Sequence, residues 1–268
     1  MQSLTRRLLT IIAALLVAAC GSGSGGTSNS GAAIPPVAAA PVVPAVADIN
    51  LLFMGNSHTT VHDVPGMVGA MVRAGKSNKT VSSVEAPNWM FLEQRATDPS
   101  SLALLKSRKW TAVILQAQEY SSSGQFFYPT TGAEALVRMS REQSAVPVMF
   151  PEWSRRGIAE TQRIFDLHVS IARKEAACVA PIPQAWDLAL ARYPSMVLHD
   201  ADGNHSATAG AFLAALVIYA TVTGLSPQDL PALPFDVDAD TQMKLRGIAS
   251  ETVLNIPPRM YCPNDAPG

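Results

Sequence analysis

The sequence predicts an α/β fold in which a parallel sheet is covered by helices on both faces. Three observations predict it. Residues Ile49–Met54 are a near-continuous apolar run, the pattern of a strand buried on both sides. Comparable runs recur at 112–115 and 146–150, separated by stretches with helical periodicity. Strands that alternate with helices imply crossover connections, and hence parallel pairing. The chain has 268 residues, 48% of them hydrophobic, which is enough to bury one sizeable core.

The elements follow in order. The first strand stops at Gly55-Asn56-Ser57-His58. Asp63 then supplies a helix cap, Pro65 suits the first turn, and Val64, Met67, Val68, Met71 and Val72 recur at helical spacing up to Gly75. A short strand is predicted at 80–84, a helix at 100–106, a strand at 112–115, a helix at 131–144 and a strand at 146–150. A long helix at 158–177 carries Ile164, Leu167 and Ile171 on one face, and a last short strand at 178–182 precedes a helix at 184–192. Residues 198–205, LHDADGNH, are a loop by composition. They run into ATAGAFLAALVIYATVTG, which is apolar nearly all round and therefore a buried helix. Ser206 or Thr208 is its expected cap and Gly224 its stop. No repeat or second domain boundary divides residues 49–268.

The first 48 residues do not belong to this fold. Arg6-Arg7 precedes an apolar stretch from Leu8 to Ala18, too short to span a bilayer as a stable helix. It ends in Val17-Ala18-Ala19-Cys20, which resembles the bacterial lipobox, with ordinary cleavage after Ala19 as the alternative. Residues 21–48 are rich in Gly and Ser, then in Pro and Ala, the composition of a flexible tether. The expectation is a lipoprotein signal peptide at 1–19, a lipid anchor on Cys20 with a tether through 48, and a single domain at 49–268. Such a protein is extracytoplasmic, in the periplasm or at the cell surface, and is held to the membrane by its lipid. In that compartment Cys178 and Cys262 are either a disulfide or two free thiols. The formal net charge of −1 leaves no basic face for nucleic acid.

In open parallel sheets, ligands bind at the carboxyl ends of the strands. Ser57 follows the first strand there, Gln116 and Gln118 follow Leu115, and Glu152 and Trp153 follow Phe150. The loop with Asp202 and His205 is placed to meet the same rim. A serine hydroxyl is a weak nucleophile near neutral pH and needs a base that is itself oriented by a carboxylate. Ser57, His205 and Asp202 supply that set, with Asp200 as a competing carboxylate. Gly55 permits a tight turn that presents Ser57.

GNSHT at 55–59, together with Asp202-Gly203-Asn204-His205, resembles the SGNH/GDSL hydrolases. The resemblance runs over about residues 49–225 and takes in WTAVILQAQEYS and DGNHSATAGAFLAALVIYATVTG. It implies a three-layer α/β/α, flavodoxin-like sandwich with a central parallel sheet, and serine-dependent hydrolysis of a carboxylic ester through an acyl-enzyme. It implies Ser57 as nucleophile and first oxyanion donor, His205 as general base and then acid, and Asp202 as keeper of the imidazole tautomer. The oxyanion positions depart from the family pattern. No glycine stands at 86–89, where Asn88 is the available backbone donor because Pro87 has no N–H, and Gln118 replaces an asparagine. Trp89, Glu152 and Trp153 are the further substrate-binding candidates. No metal or organic cofactor is implied. The substrate is a small-molecule or carbohydrate ester, with acetylated carbohydrate suited to an envelope location. The altered oxyanion positions leave a non-catalytic binding lipoprotein as the alternative.

His58 and His62 beside Asp63 have no further Cys or His with them, and are read as solvated or supporting groups rather than metal ligands. His168, mid-helix beside Leu167, is read as structural. Phe126-Phe127-Tyr128 either lines a pocket mouth or anchors a loop.

Overall fold

A computed structural model describes residues 47–268. The expected signal peptide, the Cys20 anchor and nearly all of the tether lie outside the described residues. Among the described residues, five strands form one sheet: β1 (Ile49–Met54), β2 (Val81–Glu85), β3 (Ala112–Leu115), β4 (Val146–Met149) and β5 (Cys178–Val179). All pair in parallel in the order β2-β1-β3-β4-β5. This is the flavodoxin-like order, and its switch point lies between β1 and β3. Met54 stands opposite Leu115, so these two strands end level and release their loops side by side.

Helices cover both faces. They are α1 (Ser57–Thr60), α2 (Val64–Gly75), α3 (Leu92–Arg95), α4 (Pro99–Lys106), α5 (Thr131–Glu142), α6 (Thr161–Lys174), α7 (Ile182–Arg192), α8 (Thr208–Thr223) and α9 (Ala239–Asn255). Alternation along β1 feeds two cores. Ile49, Leu51 and Phe53 pack with the apolar faces of α2, α7 and α8. Leu52 and Met54 face the other way, toward Leu105 of α4, Leu136 and Val137 of α5 and Ile171 of α6. The three-layer sandwich is therefore as expected.

Some boundaries differ. The helix expected at 158–177 is shorter at both ends, Thr161–Lys174. The N-cap of α8 is Ala207, with no side-chain cap. Ser206 is instead drawn into a bridge with His199, and Thr208 is already the first helical residue. Gly224 does end α8, in the left-handed conformation at φ 68°. α9 had no counterpart in the sequence reading. It is capped by Asp238 on the N–H of Thr241 and packs Leu245, Ile248 and Ala249 into the α8 side of the core.

Cys178 on β5 and Cys262 in the C-terminal tail are joined in a disulfide, with Cα atoms 5.0 Å apart. The tail also lies along the sheet edge, where Val179 donates its N–H to the Pro258 carbonyl at 2.8 Å. No helix among the described residues is long and apolar enough to cross a membrane.

Candidate active site

The serine side is built around one close approach. Gly55 is not there for a left-handed φ. A Cβ on it would lie 2.2 Å from Thr59 Oγ1 and 2.6 Å from Gln116 Oε1, so only glycine leaves room. Gln116 extends from the end of β3 into that space. Its Oε1 accepts from the Asn56 N–H and from the Thr59 hydroxyl, both at 2.9 Å, and its Nε2 donates to Glu152 at 2.7 Å. On the far side, the Thr60 hydroxyl donates to Glu85 at the end of β2 at 2.8 Å. Asn56 caps α1 by accepting from the His58 N–H at 3.1 Å. Ser57 is the first residue of this helix.

The histidine side is a tight loop that closes on itself. Asp200 donates its N–H to the His205 carbonyl at 2.8 Å, and Ala207 donates to Leu198 at 2.8 Å. Gly203 turns at φ 70° between them. His205 Nε2 lies 2.8 Å from Ser57 Oγ, and His205 Nδ1 lies 2.5 Å from Asp202 Oδ2. A carboxylate accepts only, so Nδ1 carries the proton, and Nε2 of the neutral ring accepts from the serine hydroxyl. The other Asp202 oxygen accepts from the N–H groups of Asn204 and His205 at 2.8 and 2.9 Å. The hydrogen bond from the His205 ring, and then those backbone donors, hold the Asp202 carboxyl well below the usual carboxylate range. Asp200 is turned away, accepting from Ala201 N–H. Of the two competing carboxylates, Asp202 is the one that meets His205.

Behind His205 stands a column of rings. His58 stacks on it at 4.9 Å between centroids, Trp153 follows at 5.3 Å from His58, and Trp186 stacks on Trp153 at 4.5 Å. The edge of His199 closes the column at 5.0 Å from Trp186. His58 and His62 do not converge as ligands: His62 Nδ1 instead meets the Thr208 hydroxyl at 3.3 Å. His168 is fully buried on α6 with Nδ1 on the Ile164 carbonyl at 2.8 Å, and burial lowers its pKa.

The remaining candidates divide. Asn88 follows β2 in the left-handed region at φ 64°, a conformation that asparagine tolerates better than most residues. Neither its N–H nor that of Ser57 has an acceptor among the described residues. Trp89, beside it, is 63% exposed. Glu152 reaches the site through Gln116. Two expectations are corrected. Gln118 does not offer its amide to a substrate, because its Nε2 donates to the carbonyls of Glu119 and Pro129, each at 3.0 Å. Trp153 does not line a mouth: it is 1% exposed and its indole N–H donates to the Asn204 carbonyl at 2.9 Å. It supports the loop of Asp202 and His205 from below. A cleft of about 1140 Å³ lies next to that loop, walled by Arg155, Arg156, Trp186, Met196 and His199, and contains no member of the serine–histidine–aspartate set. The sequence reading missed Arg95, whose buried guanidinium touches both Gly55 and Asn88. It carries no local signal, since three of its four partners are main-chain carbonyls.

No family model and no curated protein matches the chain. Solved structures do match. A DUF4886 family protein from Bacteroides uniformis is similar at a TM-score of 0.63 and 16% identity, over 81% of this chain and 99% of that one. A protein from Slackia heliotrinireducens assigned to the SGNH hydrolases is similar at a TM-score of 0.50 and 22% identity, over 65% of this chain and 98% of that one. The fold is the SGNH hydrolase fold. Within that fold, Ser57 leaves the first strand and the Asp202–His205 loop precedes a late helix, α8.

Proposed function

We propose that this chain is a serine ester hydrolase of the SGNH type. A shared fold does not carry a reaction, so the reading rests on the site. The observation that carries it is the unbroken line from Ser57 Oγ through the His205 ring to Asp202, at 2.8 and 2.5 Å. Ser57 Oγ attacks the ester carbonyl while His205 Nε2 takes its proton. The oxyanion that forms is met by the N–H groups of Ser57 and Asn88. His205 then protonates the departing alcohol, and the acyl group stays on Ser57. Water, deprotonated by His205, releases the acid and restores the hydroxyl. Asp202 remains ionised throughout, accepting from the His205 ring and from the N–H groups of Asn204 and His205.

The substrate we propose is an ester with a ring-bearing alcohol part, acetylated carbohydrate being the envelope example. The exposed rings of Trp89 and Phe91 beside Asn88 support this, as do Phe126, Phe127 and Tyr128 on the segment after β3. We also propose the location outside the cytoplasm, on a lipidated Cys20. The Cys178–Cys262 disulfide supports an oxidising compartment, and replacing Cys20 with Ser should release the protein from membranes.

The test is turnover of a small chromogenic acetyl ester by the purified domain. Ser57→Ala should lose about 10⁶ in kcat. Equal rates in both proteins would favour the alternative, a ligand-binding protein on the same scaffold. The engaged Gln118 amide is the observation that favours that alternative, since it leaves two oxyanion donors rather than three.

A further inference from the structure

Arg95 ends α3 with no exposed surface at all. Among the described residues no carboxylate forms an ion pair with it. Its Nη2 donates to the carbonyls of Gly55 at 2.6 Å and Asn88 at 2.5 Å. Its Nη1 donates to the Pro87 carbonyl at 3.1 Å and the Ser101 hydroxyl at 2.9 Å. One guanidinium therefore ties the turn that carries Ser57, after β1, to the turn that carries Asn88, after β2. Burial lowers its pKa, but an arginine so placed still stays charged.

The consequence follows from peptide geometry. In a trans peptide the N–H points opposite the C=O. With the Pro87 carbonyl on Nη1, the Asn88 N–H is aimed away from the guanidinium. With the Asn88 carbonyl on Nη2, the next peptide is fixed as well, so the left-handed turn at Asn88 is held from both sides. The 55–56 peptide is clamped likewise, its carbonyl on Arg95 and its N–H on Gln116 Oε1. A left-handed residue other than glycine is uncommon even when it is asparagine, and here the two carbonyls on Arg95 hold it.

We propose that Arg95 is a positioning residue that sets the Asn88 N–H, relative to Ser57, as an oxyanion donor. Arg95 itself does not touch substrate. This rests on the hydrolase reading above and adds to it the device that aligns two loops of separate origin. A planar fork suits this task, because Nη2 bridges the Gly55 and Asn88 carbonyls while Nη1, at fixed spacing from it, holds the Pro87 carbonyl.

The experiment uses the full chain with Arg95→Lys and Arg95→Met. It measures kcat, KM and the pH profile on the chromogenic acetyl ester, the melting temperature, and amide hydrogen exchange over residues 86–92. For Arg95→Lys the expected result is a kcat loss of about 10-fold or more, up to the roughly 10²–10³ that removal of a whole oxyanion donor costs. KM should stay within about threefold and the pH profile should be unchanged, because His205 and Asp202 are untouched. Exchange should quicken at Ala86 and Leu92, whose N–H groups donate to the Phe53 and Ala117 carbonyls on either side of the turn. Arg95→Met should lose more than Arg95→Lys, which keeps the charge. A folded Arg95→Lys with native kcat, or with native exchange at Ala86 and Leu92, overturns the proposal. So does an Arg95→Lys that fails to fold, which would make the role purely structural. If the native protein cleaves no ester, the hydrolase reading falls alone, and the exchange arm still decides whether Arg95 holds the Asn88 turn.

Discussion

The two halves of the site are held by different means. The serine turn depends on side chains from distant elements. Gln116 from β3, Glu85 from β2 and Arg95 from α3 all bind it, and Gly55 has no space to spare. The histidine loop is held by its own backbone, by the rings behind it and by one neighbouring segment, in which Arg156 donates to the carbonyls of His199, Asp200 and Gly203 and Trp153 to that of Asn204. Its side chains are also more open, with 28% of His205 and 49% of Asp202 exposed. The difference has a consequence. Damage to the serine turn should cost stability and rate together, whereas changes to the more open side chains of His205 and Asp202 should cost mainly rate.

The largest expected effect separates the two cleanly. Asp202→Asn keeps an oxygen for the Asn204 and His205 N–H groups but no longer fixes the tautomer. It should lose about 10⁴ in kcat with only a small drop in melting temperature, because the exposed carboxylate's stabilising hydrogen bonds are screened by solvent. A large drop in melting temperature would break the contrast. Gly55→Ala should show the opposite signature. Its methyl group meets buried Thr59 and Gln116, which predicts about 1–3 kcal/mol of lost stability. The displaced hydroxyl should lose a further factor of about 10² in rate. A native-like Gly55→Ala would show that the serine turn has slack.

A smaller effect tests the ring column. His58→Ala removes the ring stacked on His205, and an aromatic pair contributes about 0.5–1.5 kcal/mol beyond its buried area. The expected loss in kcat is about two- to tenfold, and His58→Phe should restore most of it. A hundredfold loss that phenylalanine does not restore would assign His58 a chemical role instead.

The smallest effect concerns acid. Activity should fall on acidification because a protonated His205 cannot take the serine proton. Stability should fall for a separate reason. Burial lowers the His168 pKa in the folded chain, while the unfolded value is near 6.5. Below about pH 6.5 the unfolded chain binds a proton that the folded chain resists, so stability declines as pH drops. Melting curves from pH 8 to 5 should show this, and His168→Leu should flatten it without moving the activity profile. A joint shift of both profiles would mean that the two histidines are not independent.

How far the sequence could be read follows the same contrast. β1 and α8 were legible because a buried strand and an all-apolar helix each write a continuous local pattern. Ser57, Asp202 and His205 were legible as residue types at a strand end and in a polar loop. The structure brings those three into hydrogen-bond contact. What reached across the fold was not legible. Arg95 is an ordinary residue in LEQRATD until three carbonyls close around it. Gln118 and Trp153 were placed on the correct rim, but position along the chain does not say where a side chain points. Gly55 was expected to serve a turn, and its need is for room. α9 went unread because its buried stripe, Leu245, Ile248 and Ala249, is narrow and flanked by charge.

The most direct measurement is covalent labelling with a fluorophosphonate, in which the serine oxygen displaces fluoride at phosphorus, followed by peptide mass mapping. The account predicts one adduct per chain, on the peptide that carries Ser57, with none on Ser57→Ala and slow labelling of Asp202→Asn. An adduct on another serine, or equal labelling of Ser57→Ala, would contradict it.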